Sequence, residues 1–100
     1  MEYIDIEKNS IPYTFEIVLA GETFQFTVNY NSFGDFFTMD LYKNNELVRM
    51  GEKIVYGLPL FENYEYLGVP RVVIMPYDTT GNALRISYEN LNEDVFLYVE

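Results

Sequence analysis

The stretch Tyr13-Thr14-Phe15-Glu16-Ile17-Val18-Leu19-Ala20-Gly21-Glu22-Thr23-Phe24-Gln25-Phe26-Thr27-Val28-Asn29-Tyr30 decides the fold. Tyr13, Phe15, Ile17 and Leu19 alternate with Thr14, Glu16 and Val18, the period of two that sends successive side chains to opposite faces of a strand. After Ala20-Gly21-Glu22 the alternation resumes, with Phe24, Phe26, Val28 and Tyr30 inward and Thr23, Gln25, Thr27 and Asn29 outward. Two alternating runs around a short Gly-containing loop predict a β-hairpin. Thr on the outer face favours strand over helix, because a β-branched side chain suits a pleated surface.

Working outward, Asn31-Ser32-Phe33-Gly34-Asp35 is a turn cluster. A third strand follows, with Phe37, Met39 and Leu41 on one side and Phe36, Thr38, Asp40 and Tyr42 on the other. Lys43-Asn44-Asn45-Glu46 predicts a tight turn, since Asn tolerates the left-handed conformation. Short strands are expected at residues 47–50 and 53–56, separated by Gly51. Residues 58–64 alternate poorly and hold Pro59, which predicts a crossing loop or a single helical turn. Residues 71–77 form a nearly continuous apolar run, the pattern of a strand buried on both faces. Asp78-Thr79-Thr80-Gly81-Asn82 turns the chain, residues 83–88 are expected to extend again, and residues 95–99 make a last strand. The expectation is therefore an all-β fold: a small antiparallel barrel or sandwich of about seven short strands, with at most one helical turn, in a single domain over residues 1–100.

Composition narrows the function. Among 100 residues, 49% are apolar and 18% aromatic, enough to bury a core without disulfides or metal. The absence of Cys excludes a disulfide scaffold, a thiol nucleophile and a thiolate metal site. The absence of His removes the usual general base, the Ser-His-Asp relay and the commonest transition-metal ligand. Sixteen acids against six bases give a formal charge of -10, which repels phosphate backbones and anionic membranes, so neither nucleic acid nor membrane is an expected direct partner. Apolar runs such as Val72-Val73-Ile74-Met75 fall far short of the roughly 20 residues of a spanning helix. The first residues carry acids where a signal peptide carries bases, which predicts a cytoplasmic protein unless another component carries it out. What remains is acid chemistry by Asp and Glu, or binding.

Acid chemistry finds little support. Asp78-Thr79-Thr80-Gly81 is close to the Asp-Thr-Gly of aspartic proteases, whose paired carboxylates share a proton. The extra Thr changes the turn that would fix the carboxylate, and Asp and Thr beside Gly are ordinary turn residues. A glycosidase needs two carboxylates at a defined separation, a condition that some pair among sixteen acids always meets. Asp78…Asn82 and Asn90-Leu91-Asn92-Glu93-Asp94 are rich in the hard oxygen ligands of calcium, without regular ligand spacing, and read better as solvated turns. A Phe-lined ligand cavity is a further possibility, but a barrel of this size fills its interior with its own side chains. No catalytic, cofactor-binding or metal-binding residue is assigned, and no cofactor is expected.

The aromatics point to binding. Ten Tyr and eight Phe exceed what a small core absorbs. If Phe37, Met39 and Leu41 face the core, Phe36 and Tyr42 face outward, and Tyr64 and Tyr66 flank Glu65 in the irregular segment. Tyr gives a contact large area at low entropic cost while its hydroxyl stays wet. Phe36, Tyr42, Tyr64 and Tyr66 are the candidate interface residues, and the surface is expected to meet protein.

The order of these pieces resembles a known family. Phe15-Glu16-Ile17-Val18-Leu19-Ala20-Gly21-Glu22-Thr23-Phe24, Tyr30-Asn31, Asp40-Leu41-Tyr42, then Gly51, Ile54-Val55, Gly57, Pro59-Leu60, Tyr64 and finally Val95-Phe96-Leu97-Tyr98 stand in sequence. In that arrangement the chain is similar to the small baseplate plug proteins of tailed bacteriophages, known from cyanophages and also found in prophages. It departs from them in having Tyr30 where the family often has Trp, and in a shorter, more acidic stretch from Asp78 to Asp94. The resemblance implies a non-enzymatic structural component of a tail baseplate, a plug-like hub subunit packing against other tail or baseplate proteins. It implies residence in the virion tail, after a period in the bacterial host cytoplasm, with an oligomeric state set by the assembly. The competing expectation is an acidic DNA mimic or inhibitor of a host DNA-binding protein. It would need carboxylates in regular array, whereas Glu16, Glu22, Asp35, Asp40 and Glu46 are dispersed over strand ends and turns.

Overall fold

The computed structural model describes residues 2–62 and 68–100. Seven strands form two antiparallel sheets: β1 (Glu2–Ile4), β2 (Tyr13–Leu19), β3 (Glu22–Asn31), β4 (Phe36–Lys43), β5 (Glu46–Lys53), β6 (Ile74–Tyr77) and β7 (Phe96–Val99). The larger sheet has the order β2-β3-β4-β5, the smaller β1-β7-β6, and they face one another as a sandwich rather than closing into a barrel. One 3-10 turn, Lys8–Ser10, is the helical content among the described residues.

The hairpin read from residues 13–30 is present in register, with Phe15 opposite Phe26 and Ile17 opposite Phe24. Its two-residue turn places Ala20 and Gly21 at φ 52° and 78°, the doubly left-handed turn whose twist matches that of paired strands. Asn44 and Asn45 do the same between β4 and β5, at φ 53° and 63°. Phe24, Phe26 and Val28 of β3 and Phe37, Met39 and Leu41 of β4 are all fully buried, so the alternation assigns the core face correctly. Ile4, Ile74 and Leu97 from the smaller sheet meet them, and Ile54, Leu60, Phe61, Val69, Ile86, Leu91 and Val95 from the connections fill the rest. Each such large side chain, fully buried, contributes roughly 1.5–3 kcal/mol, which makes this layer the main source of stability.

Four local readings are corrected. Residues 47–50 and 53–56 are not two strands around Gly51; β5 runs continuously through Gly51 as a bulged edge strand. Leu41 opposes Arg49 while Met39 opposes Glu52, so β5 spends one extra residue there, and Gly51 at φ 71° supplies the left-handed bend. The Gly51 N–H, turned out of the ladder, donates to Asp40 Oδ1 at 2.8 Å. Residues 71–77 are not a strand buried on both faces. The strand is confined to Ile74–Tyr77, with Ile74 and Pro76 inward, Met75 half-buried and Tyr77 exposed.

Pro76 is tolerated because Met75 lies opposite Tyr98 and Val73 exchanges both backbone bonds with Glu100, so Pro76 takes a position whose nitrogen points away from β7. On that outer side, among the described residues, Ile74 O accepts from Leu60 N–H and Pro76 O from Gly57 N–H, both at 2.9 Å. The described part of the segment around Pro59 is thus a loop that covers the edge of β6. Residues 83–88 do not extend into a strand, and Val95 forms a single bridge with Leu91 before β7 begins. Conversely, β1 pairs with β7 where the sequence offered no alternation, Tyr3 lying opposite Tyr98.

Candidate functional site

Alternation along β4 puts Phe36, Thr38, Asp40 and Tyr42 on the outer face of the larger sheet. Their neighbours on that face, Thr14, Glu16 and Val18 of β2 and Thr23, Gln25, Thr27 and Asn29 of β3, are all exposed or half-buried. No described element covers this face. The Phe36 ring is half-buried and lies across Gly34; a Cβ on Gly34 would stand 2.6 Å from the ring and would have to displace it. Lys53 Nζ sits 4.5 Å from the centroid of the same ring, a cation over the electron-rich face. At the other end of the strand Tyr42 lies opposite Gln25 and Leu47, and with Thr14, Thr27 and Asn45 it lines a shallow depression of about 290 Å³. Between them Asp40 is occupied by Gly51 N–H and, at 3.4 Å, by Asn29 Nδ2.

Phe36 and Tyr42 therefore share a face but stand roughly 20 Å apart at the rise of an antiparallel strand. Tyr64 and Tyr66 lie outside the described residues. Many of the remaining surplus aromatics pack on one another: Tyr3 on Phe96, Tyr13 on Phe15, Tyr56 on Tyr77 and Tyr88 on Tyr30.

A second surface, formed where the β3–β4 turn meets the connection 78–95, has no counterpart in the sequence reading. Asp35, at φ 53°, is its hub. Its Oδ1 accepts from the Tyr30 hydroxyl at 2.7 Å and from the Tyr88 N–H at 2.9 Å; its Oδ2 accepts from the Arg85 guanidinium at 2.7 Å. The Tyr30 hydroxyl first, then Arg85 and the Tyr88 amide, favour the carboxylate and draw the Asp35 pKa from 3.8 down to about 2. The same hydrogen bond raises that of Tyr30. Asn31 Oδ1 adds a bond from Gly34 N–H, and Lys8 Nζ reaches the Tyr88 carbonyl at 2.7 Å. On this tied-down end Phe33 and Leu84 project with relative exposures of 102% and 93%. The sequence hid both: one sits in a turn cluster and the other in a stretch read as strand, so periodicity assigned neither an exposed position.

Asp78 is almost completely buried, and its oxygens are used by its own turn. Oδ1 accepts from Thr80 N–H and Thr80 Oγ1, at 2.9 and 2.6 Å, and Oδ2 from Ala83 N–H at 2.9 Å. The Thr80 hydroxyl is the chief reason its pKa is lowered, so the group is held ionised. The extra Thr is thus a turn cap. In the other oxygen-rich stretch, Asn90 Oδ1 accepts from Ser87 N–H, and Asn92 links Ile6 N–H to Asp5. Among the described residues no three acidic side chains stand close enough to hold a metal ion.

The described elements leave the outer face of the larger sheet uncovered, Phe33 and Leu84 project at one end, and Asp78 and Asp35 serve turns. Comparison with known families decides the setting: the pattern described as cyanophage baseplate Pam3 plug gp18 matches residues 1–100, the whole chain. The chain belongs to the baseplate plug family. Membership gives it a structural role in a phage tail baseplate, among other baseplate or tail proteins. The expected resemblance to baseplate plugs is therefore right at the level of family. No curated protein matches the chain.

Proposed function

We propose that this protein is a non-enzymatic, plug-like hub subunit that packs the outer face of its larger sheet against neighbouring tail proteins. The observation that carries this is the uncovered face itself: a broad, regular surface bearing two half-buried rings, Phe36 and Tyr42, with polar Thr, Asn and Gln between them. A rigid sheet loses little entropy on docking, and large rings set among short polar groups suit an interface that stays soluble before assembly. Glu16 and Asp40 give the face a negative cast and favour partners with basic patches, which orients docking more than it strengthens it. Tyr64 and Tyr66, outside the described residues, belong to the same proposal on the aromatic content of the sequence alone.

The test is substitution of Phe36, Tyr42, Tyr64 and Tyr66 by alanine, singly, in a tail-assembly assay. Loss of the protein from purified tails, with folding unchanged by circular dichroism, is the expected result for Tyr42→Ala and for at least one other. Normal incorporation of all four variants would overturn the reading.

A further inference from the structure

We infer that the free edge of β2 accepts an extended strand of a neighbouring tail protein, apolar at alternate positions and basic opposite Glu16. The inference rests on the packing role proposed above and names how one neighbour is gripped: at the rim of the larger sheet, through its backbone. Because the β2–β3 loop has two residues, Leu19 and Glu22 close it as a hydrogen-bonded pair. Bonded pairs then recur at every second residue, so Ile17, Phe15 and Tyr13 turn their N–H and C=O toward β3. The Thr14 and Thr27 hydroxyls, 2.7 Å apart, show the close approach of a non-bonded pair between them. The N–H and C=O of Thr14, Glu16 and Val18 therefore point away from the sheet, and no described backbone group outside the sheet bonds them.

The rims of the other outer strands are blunted. β5 carries the Gly51 bulge together with Glu46, Arg49, Glu52 and Lys53. β6 is covered by the Gly57 and Leu60 N–H groups, and β1 is three residues long. β2 has seven residues without proline, lysine or a bulge, the flat open rim that proteins ordinarily avoid. The core stops short at the same edge. Tyr13, Phe15 and Ile17 face inward yet are only half-buried, whereas Phe24, Phe26 and Val28 of the next strand are fully buried. One more strand would satisfy the outward backbone groups and lay its inward side chains beside those three, which is recognition by strand addition. Charge selects the kind of strand. Glu16, at the middle of β2, has no cationic partner among the described residues. Two copies paired along β2 about its middle would set Glu16 against Glu16 on chains of charge -10, whereas a base on a different protein completes the pair.

Residue-resolved amide exchange of the free chain and of purified tails tests this. In the free chain the amides of Thr14, Glu16 and Val18 should exchange fast and those of Phe15 and Ile17 slowly. In tails the first three are expected to slow at least about tenfold, as they enter a new ladder. Glu16→Pro removes one outward N–H without touching the bonds to β3, so it should lower incorporation into tails at least about tenfold. Glu16→Gln, which keeps that N–H and loses the charge, should lower it by less. Unchanged exchange at the three amides in tails overturns the inference even if the proline variant fails to fold, and so does normal incorporation of a folded Glu16→Pro chain. A free chain that sediments as a dimer with these amides already slow overturns it too, since a second copy then holds the edge. Docking on the sheet face alone would shield the Phe36 and Tyr42 rings and leave the three amides fast, so either reading can fail alone.

Discussion

The paired strands of the larger sheet and the connection 78–95 solve the same problem in opposite ways. In the larger sheet the backbone of β3 is held by ladders to β2 on one side and β4 on the other, and specificity comes from which side chain alternates inward. Phe26 shows this, buried between Phe15, at 5.7 Å between centroids, and Phe61, stacked at 6.1 Å. In the connection almost no ladder exists beyond the single Leu91–Val95 bridge. There the backbone is satisfied by short polar side chains: Asp78 caps one turn, Asn90 another, and Asp35 ties the end to the neighbouring loop. Only Ile86, Leu91 and Val95 anchor it in the core. The sheet is thus held by apolar burial, which is indifferent to pH, and the connection by directed bonds, several of which depend on ionised carboxylates.

The largest effect should come from the sheet. Phe26→Ala removes a fully buried ring and is expected to cost about 3–5 kcal/mol in urea denaturation, a large part of the stability of a domain this size. A loss below about 1 kcal/mol would mean the core does not centre on β3.

Next in size is a gain. Ala20 holds a left-handed conformation that Asn tolerates better than Ala, because its short amide side chain hydrogen-bonds locally, so Ala20→Asn should raise stability by up to about 1 kcal/mol in the same measurement. No gain would argue against the doubly left-handed turn.

The smallest global change, and the sharpest local one, concerns Asp35. Its folded-state pKa lies below its ordinary value of 3.8, so the stability it contributes is complete above that value and is lost as pH falls through about 2. Amide exchange should show Tyr88 losing protection over that window while the amides of Phe26 and Met39 keep theirs. Asp35→Asn, which tolerates the same backbone conformation, should abolish this pH dependence and leave Tyr88 weakly protected at neutral pH. Equal loss in both regions would erase the contrast.

This contrast also explains what could be read from the sequence. Alternation is a long-range statistical signal, so residues 13–42 revealed their strands, their core face and even the outward position of Phe36 and Tyr42. Gly51 looked like a chain break because a bulge and a turn both use a left-handed glycine; only the partner strand tells them apart. The apolar run 71–77 looked two-faced because Val72 and Val73 precede the short strand rather than belong to it. β1 is three residues paired with the far end of the chain, a contact no local window contains. The Asp35 hub joins residues 30, 35, 85 and 88, whose types are those of any turn, and its effect on Phe33 and Leu84 emerges only in three dimensions.

The central claim, that the outer face of the larger sheet is the packing face, is tested most directly by hydroxyl-radical footprinting of the free protein and of assembled tails. The account predicts that Phe36 and Tyr42 label readily in the free chain and are protected in tail particles, while the rings of Tyr3 and Tyr77 on the smaller sheet change less. Equal labelling of Phe36 and Tyr42 in both states would contradict it.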